Sequence, residues 1–470
     1  MKQRYKLLAI CLTAYCTISF AQKVGNWFVT SSLQEKKDAL AGIQLNDGNI
    51  LVTGGNTPSQ YLPSNETEIY DVKSQMWKVA VPMNKGRAYH SLIKLKDGSI
   101  MAIGGYSEKT CEILSNDYTK WTFTDTINTR KYWGQNVVLM QDGNVLSIGG
   151  YINTSNDTTG ALRECEIYSY LERNWELTSK LNIGRFEHTA TVLKDGRVLV
   201  TGGWTEYHGR ILLNSCEIFD PTTKKWTYVQ PMHYPRARHS ATLLSNGKVL
   251  IVGGLQNYSE LYNPLTNNWE VVGSVNLASG NNRAVMLKNE EYLLLVHDVY
   301  GARCGWELYS LKNFKSIYYE EFKRIISDPE VIKIDDNKVI VAGGFETILS
   351  GGVPVFISSN FCQIYDINYT SVSVKEIVNQ NHLQTDFSLS CYPNPSNNST
   401  NIIANLNSSG WIIMKVYNIL GSEISTIYNG ELAAGRHEFR YDMERFPSGI
   451  YFVRISSQNK TQLLKIIHQK

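Results

Sequence analysis

Apolar runs of four or five residues recur through most of the chain, each bounded by the same polar punctuation. Asp47-Gly48 precedes the run Ile50 to Thr53, and the pair Gly54-Gly55 follows it. The same frame returns from Asp97-Gly98 to Gly104-Gly105, Asp142-Gly143 to Gly149-Gly150, Asp195-Gly196 to Gly202-Gly203, Asn246-Gly247 to Gly253-Gly254, and Asp336-Asn337 to Gly343-Gly344. Runs this short fit strands, and an Asp-Gly or Asn-Gly pair between two of them marks a hairpin whose turn needs positive φ. A variable loop then leads to a strand bearing an aromatic (Tyr70, Tyr168, Phe219, Tyr262, Tyr309 or Tyr365), usually followed by a tryptophan (Trp77, Trp121, Trp175, Trp226 or Trp269). Each unit thus reads as four strands, and the chain as all-β.

The first glycines of successive pairs lie 50, 45, 53 and 51 residues apart, and the last interval is 90. A worn copy fills that gap, where Asn289-Glu290 leads through Leu293-Leu294-Leu295 to His297-Asp298 without the glycines. Four strands per unit at this period resemble the kelch repeat, one blade of a β-propeller. The resemblance covers residues 22–378 and implies a seven-bladed kelch-type β-propeller, with six blades as the alternative. The ring must close. Asn26-Trp27-Phe28-Val29-Thr30 looks like an outermost strand with no blade before it, and Ser371 to Ile377 is the competing candidate.

After the polar linker 379–386 the repeat stops. Residues 387–470 carry Cys391-Tyr392-Pro393-Asn394-Pro395-Ser396, Val416-Tyr417-Asn418-Ile419-Leu420-Gly421, Leu432-Ala433-Ala434-Gly435 and Pro447-Ser448-Gly449-Ile450-Tyr451 in order. Alternating apolar positions between these turns predict a small β-sandwich. The motifs resemble the type A sorting domain of type IX secretion in Bacteroidota. That resemblance implies export across the outer membrane by the type IX machinery, removal of the domain, and release or anchoring at the cell surface.

The N-terminus fits this route. Lys2, Arg4 and Lys6 precede an apolar stretch from Leu7 to Phe20, and Ser19 and Ala21 stand three and one residues before a cut, so residues 1–21 read as a signal peptide. Without those three cations the chain holds 43 basic against 43 acidic residues, a balance that argues against a nucleic-acid partner. Outside the leader no stretch is long and apolar enough for a transmembrane helix. Of the eight cysteines, Cys111, Cys165, Cys216 and Cys362 recur at one strand position, which suits packing better than disulfides, and no spacing suggests a metal site.

The recurring polar chemistry lies before the innermost strands. Arg87-Ala88-Tyr89-His90-Ser91, Arg185-Phe186-Glu187-His188-Thr189 and Arg236-Ala237-Arg238-His239-Ser240 share one register, with Lys37, Tyr132 and Arg283 as counterparts in other copies. On a propeller this register rings the channel mouth. Arg87, Tyr89, His90, Arg185, His188, Arg236, Arg238 and His239 are therefore the candidate ligand contacts, and three guanidinium groups would suit an acidic ligand. The competing expectation pairs these side chains with Glu112, Glu166, Glu217 and Glu260 inside each blade. The favoured function is an exported or cell-surface binding module for a glycan or protein ligand, with no cofactor. A glycan-active enzyme (lyase, glycosidase or sugar isomerase) using His90, His188, His239, Tyr89 and the arginines is the alternative. Tyr89-His90 also resembles the ligand pair of galactose-oxidase-like copper enzymes, although no counterparts of the remaining ligands are found.

Overall fold

A computed structural model describes residues 24–469 apart from 58–62, 153–159, 207–210, 277–280, 300–302, 323–325, 351–352, 369–386, 397, 419–422 and 458–459. The expected leader, the linker 379–386 and the strand candidate Ser371 to Ile377 lie outside the described residues.

Among the described residues, the repeats fold into seven antiparallel four-stranded blades. Blade 2 shows the plan, with Ser91–Lys94 innermost, then Ile100–Ile103 and Cys111–Leu114, and Trp121–Thr124 outermost. Its second strand is buried on both faces, hence the continuous apolar run. The worn copy is a full blade with longer strands, Asn281–Leu287, Tyr292–Val299, Arg303–Ser310 and Lys315–Glu321. One parallel pairing, Ser274 with Lys315, joins the rims of blades 5 and 6.

Blade 7 takes its inner three strands from Glu330–Lys333, Lys338–Ala342 and Cys362–Asp366, and its outermost strand is Asn26–Val29, paired in register with Gln363 to Asp366. The N-terminal strand thus removes the open edge that an unclosed ring would expose. Trp27 locks it in place, 5.3 Å from Tyr365, 5.2 Å from Phe322 and 6.1 Å from Trp306 between ring centroids.

Adjacent blades pack through layers such as Leu146, Ile148, Cys165, Val198, Val200 and Phe219. The recurrent cysteines fill this core as free thiols. Burial pushes the Cys216 thiol up to about 12, so it behaves as a small hydrophobe.

The glycine pairs act between blades. Gly202 sits at φ +60, and a Cβ there would fall 2.4 Å from the carbonyl oxygen of Arg236 and 2.9 Å from the His239 ring in the next blade. Gly203 then donates its N–H to that Arg236 carbonyl at 2.7 Å, as Gly55 does to Arg87, Gly150 to Arg185 and Gly344 to Lys37. The last of these bonds crosses the point where the ring closes.

The C-terminal residues form a sandwich of a three-stranded sheet (Phe387–Tyr392, Ser399–Leu406, Gly435–Asp442) and a four-stranded sheet (Glu423–Leu432, Gly410–Asn418, Gly449–Ser457, Lys460–His468). Its core includes Ile402, Met414, Val416, Val453, Ile455 and Ile466.

Candidate functional site: the channel mouth

Each blade buries an acidic or amide side chain on its third strand, and what meets that side chain decides which residues remain for the mouth. In blade 2, Glu112 is fully buried and accepts the backbone N–H groups of Asn84 (2.6 Å) and Lys85 (3.0 Å), which lie in the loop entering the blade. Arg87 completes the carboxylate shell, with Nη2 2.8 Å from Glu112 Oε1 and Nη1 2.8 Å from the Gly104 carbonyl. Arg185 repeats this with Glu217 (2.8 Å) and Gly202, and Arg236 with Glu260 (2.9 Å) and Gly253. All three arginines have zero exposure. The expected basic arc at the mouth therefore does not form: the guanidinium groups are enclosed within their blades and offer no surface to an acidic ligand.

Blades 1, 3 and 6 reach the same end with different partners. In blade 1, Lys37 lies 3.4 Å from Glu68. In blade 3 the buried cation is Lys131, not the expected Tyr132, because one residue is inserted before the innermost strand. Lys131 is shorter than arginine and bonds Ser147 Oγ at 2.7 Å, beside Glu166. Burial lowers its pKa, and the Glu166 charge opposes that shift. In blade 6, His297 occupies the place of the lost glycine pair, between Glu307 Oε2 (3.1 Å) and Asn282 Oδ1 (2.5 Å). Blade 7 carries Gln363 in the carboxylate position, and the sequence register that supplies Arg87 in blade 2 reads Ile326.

The histidines are structural as well. His90 Nε2 bonds Thr53 Oγ1 at 2.7 Å, and His239 Nε2 bonds Thr201 Oγ1 at 2.8 Å, each reaching the preceding blade. His188 faces Ile148 at the equivalent threonine position, which explains why neither ring nitrogen has a protein partner. Burial drives His90 and His239 down to about 3, and His188 well below its usual value, with neighbouring arginines adding to the shift. Neutral, buried rings are poor proton donors, which weakens the acid–base role considered for them. In blade 6 the histidine position belongs to Asn282, whereas the expected Arg283 is exposed and lies 3.3 Å from Asp328 and 3.8 Å from Glu330.

The residues left at the mouth share a feature that the sequence reading did not single out. Ala39, Tyr89, Gly134, Glu187, Arg238 and Asp328 each have positive φ, between 50° and 70°, at the turn into an innermost strand. Their backbones connect successive blades, with Tyr89 N donating to Ala39 O (2.9 Å), Glu187 N to Gly134 O (3.0 Å), Arg238 N to Glu187 O (2.9 Å), and Asn282 N to Arg238 O (3.1 Å). A left-handed backbone is costly for residues other than glycine, and the hydrogen-bonded girdle holds it in place. Arg238 and Glu187 form a two-pronged ion pair across blades 4 and 5, at 2.5 and 2.6 Å. Of the candidate contacts, Tyr89 and Arg238 are the two that stand partly exposed on this girdle.

Seven blades closed by the N-terminal strand, each built around a buried carboxylate or its amide substitute, define a kelch-type β-propeller. Residues 185–233 match the kelch motif, and residues 390–469 match the secretion system C-terminal sorting domain. The chain is a kelch-repeat protein that carries a type IX sorting domain, and it is thereby marked for secretion or the cell surface. It is 28% identical to beta-scruin of Limulus polyphemus over 219 residues, which is 44% of this chain and 23% of that protein. It is 34% identical to tRNA wybutosine-synthesizing protein 4 of Saccharomyces cerevisiae over 79 residues, 17% of this chain and 11% of that one. The curated relatives are thus matched over only 11% to 28% of their own lengths. Among solved structures it is similar to that of YjhT, with a TM-score of 0.47 and 12% identity over 62% of this chain and 100% of that one.

The buried pairs make a direct prediction. Arg236→Ala strands the Glu260 carboxylate in the blade interior and should cost about 3–5 kcal/mol in urea unfolding. The double variant Arg236→Met/Glu260→Leu, which removes both charges, should recover most of that loss. Equal losses in the single and double variants would contradict the pairing.

Proposed function

We propose that the protein is an exported binding module whose glycan or protein ligand sits at the channel mouth. The observation that carries this reading is the girdle. The frame around it repeats from blade to blade, yet the girdle position itself holds Ala39, Tyr89, Gly134, Glu187, Arg238 and Asp328. A fold requirement would select glycine throughout, whereas five different side chains held in a costly conformation are better explained by a ligand. In this reading residues 22–378 form the binding domain, and residues 1–21 and 387–470 serve as addresses that are removed.

Two measurements follow. Intact-mass analysis of protein collected from the cell surface or medium should find chains that begin at Gln22 and lack the sorting domain; mature chains still ending at Lys470 would contradict the export route. On a glycan and surface-protein array, Tyr89→Ala and Arg238→Ala should each lower retention of the ligand about tenfold or more, with little change in Tm. Unchanged retention in both variants would place the ligand elsewhere.

A further inference from the structure

Resting on the reading of the mouth as the ligand site, we propose that the ligand is an uncharged pyranoside chain, seated on the aromatic surface formed by Tyr106, Tyr132 and Trp133. Tyr106 follows the glycine pair of blade 2, and Tyr132 and Trp133 lead into the innermost strand of blade 3, next to the girdle glycine Gly134. Tyr106 and Trp133 lie parallel within 5°, with centroids 6.4 Å apart. Tyr132 stands edge-on to both, at 4.9 Å from Tyr106 and 6.2 Å from Trp133, and Tyr89 borders them at 6.4 and 6.2 Å. The cluster is rigid from beneath: Trp133 stacks on Tyr151 at 4.4 Å, and Tyr151 rests 5.2 Å from the buried Phe186. Backbone bonds hold the loops as well, from Tyr106 N to Ala88 O (2.7 Å) and Tyr132 N to Tyr151 O (2.7 Å).

Tyr106 is nevertheless 48% exposed, and Tyr89, Tyr132 and Trp133 are half-buried. A preorganised aromatic surface left to water is a feature of binding sites. Gly134 lets the loop bearing Tyr132 and Trp133 pack tightly on the next blade, since a Cβ there would lie within 3.2 Å of Glu187 N and the Phe186 Cβ.

Charge selects the ligand class. The three guanidinium groups that would grip an anion are buried in ion pairs, and Arg238 is matched by Glu187. Arg283 faces both Asp328 and Glu330. The described mouth therefore has no surplus of positive charge for a polyanion, and the four rings include no carboxylate to select a cationic peptide. A pyranose ring suits what is present, since its C–H face packs on the electron-rich ring faces and its hydroxyls meet the phenol and indole groups at their rims.

The test is native affinity electrophoresis of the full chain in gels containing β-glucan, α-mannan or xylan, with polygalacturonate and poly-lysine as charged probes. At least one neutral polymer should retard the protein, with little change on raising salt to about 0.5 M, where exposed charges are strongly screened. Tyr106→Ala and Trp133→Ala should each weaken that retention about tenfold, and Trp133→Phe should retain part of it. Tyr106, the most exposed ring, provides the variant least dependent on folding. Retardation by a charged probe alone, no retardation by any neutral polymer, or neutral-polymer binding indifferent to both alanine variants would overturn the inference. If a charged probe binds and Tyr89→Ala or Arg238→Ala abolishes it, the mouth remains the ligand site and only the sugar assignment falls. If no variant at the mouth alters any retention, both fall.

Discussion

The propeller depends on keeping a carboxylate dry in six of its seven blades. A buried, uncompensated carboxylate is costly, and here the cost is offset by the backbone N–H groups of the entering loop, together with a cation from the blade's own N-terminal segment in blades 1 to 5 and the His297 ring of the second strand in blade 6. Such a pair need not stabilise the fold more than two apolar residues of the same volume would. What it adds is position. Glu112 fixes the loop at Asn84 and Lys85, Arg87 fixes the Gly104 carbonyl, and the Arg87 carbonyl receives Gly55 of the preceding blade. Loop, blade and neighbour are set by one cluster, and the mouth is built on the residues that follow it.

The same constraint explains exposed apolar side chains at the blade rims. Val79, Phe123, Leu177, Tyr228 and Val271, with the half-buried Tyr319, stand directly across from Glu68, Glu112, Glu166, Glu217, Glu260 and Glu307, and Val29 stands across from Gln363. Paired residues share a sheet face, so each apolar side chain covers the buried group from solvent. Phe123 at 52% and Leu177 at 59% exposure would otherwise suggest a binding patch. Their recurrence opposite every buried polar group assigns them to the blade.

The blades were legible because their signals are local: a two-residue turn, a glycine pair and an aromatic lie within one stretch of chain. The C-terminal sandwich was legible for the same reason. Compensation across space was not. Lys131 stands one residue from its expected register and depends on Ser147, and His297 in the worn copy serves a carboxylate from the position of a missing glycine. The candidate contacts divide for a related reason, since the expected pairing of Arg87, Arg185 and Arg236 with strand glutamates is what forms. Recurrence of Arg87, Arg185 and Arg236 drew attention to the residues that build the blade, whereas the variable residue between them and the histidine is the one at the mouth. Tyr89, Glu187 and Arg238 occupy that slot in three otherwise similar pentapeptides, and that contrast was visible in the sequence. The aromatic cluster was not, since Tyr106 and Trp133 belong to different blades.

Blade 7 offers the most direct test of the charge-matching account, because its third strand carries Gln363 in place of the carboxylate. Gln363→Glu installs a carboxylate of almost the same shape at a position with no ion-pair cation among the described residues. Its folded pKa should rise above the usual value near 4.3, so the variant should match the parent at about pH 4 and lose stability as pH rises through the raised pKa. The account predicts a deficit of about 2–4 kcal/mol at pH 8 in urea unfolding of the full chain. Equal stability of variant and parent across that range would show that a blade tolerates its carboxylate without a cation, and would contradict the account.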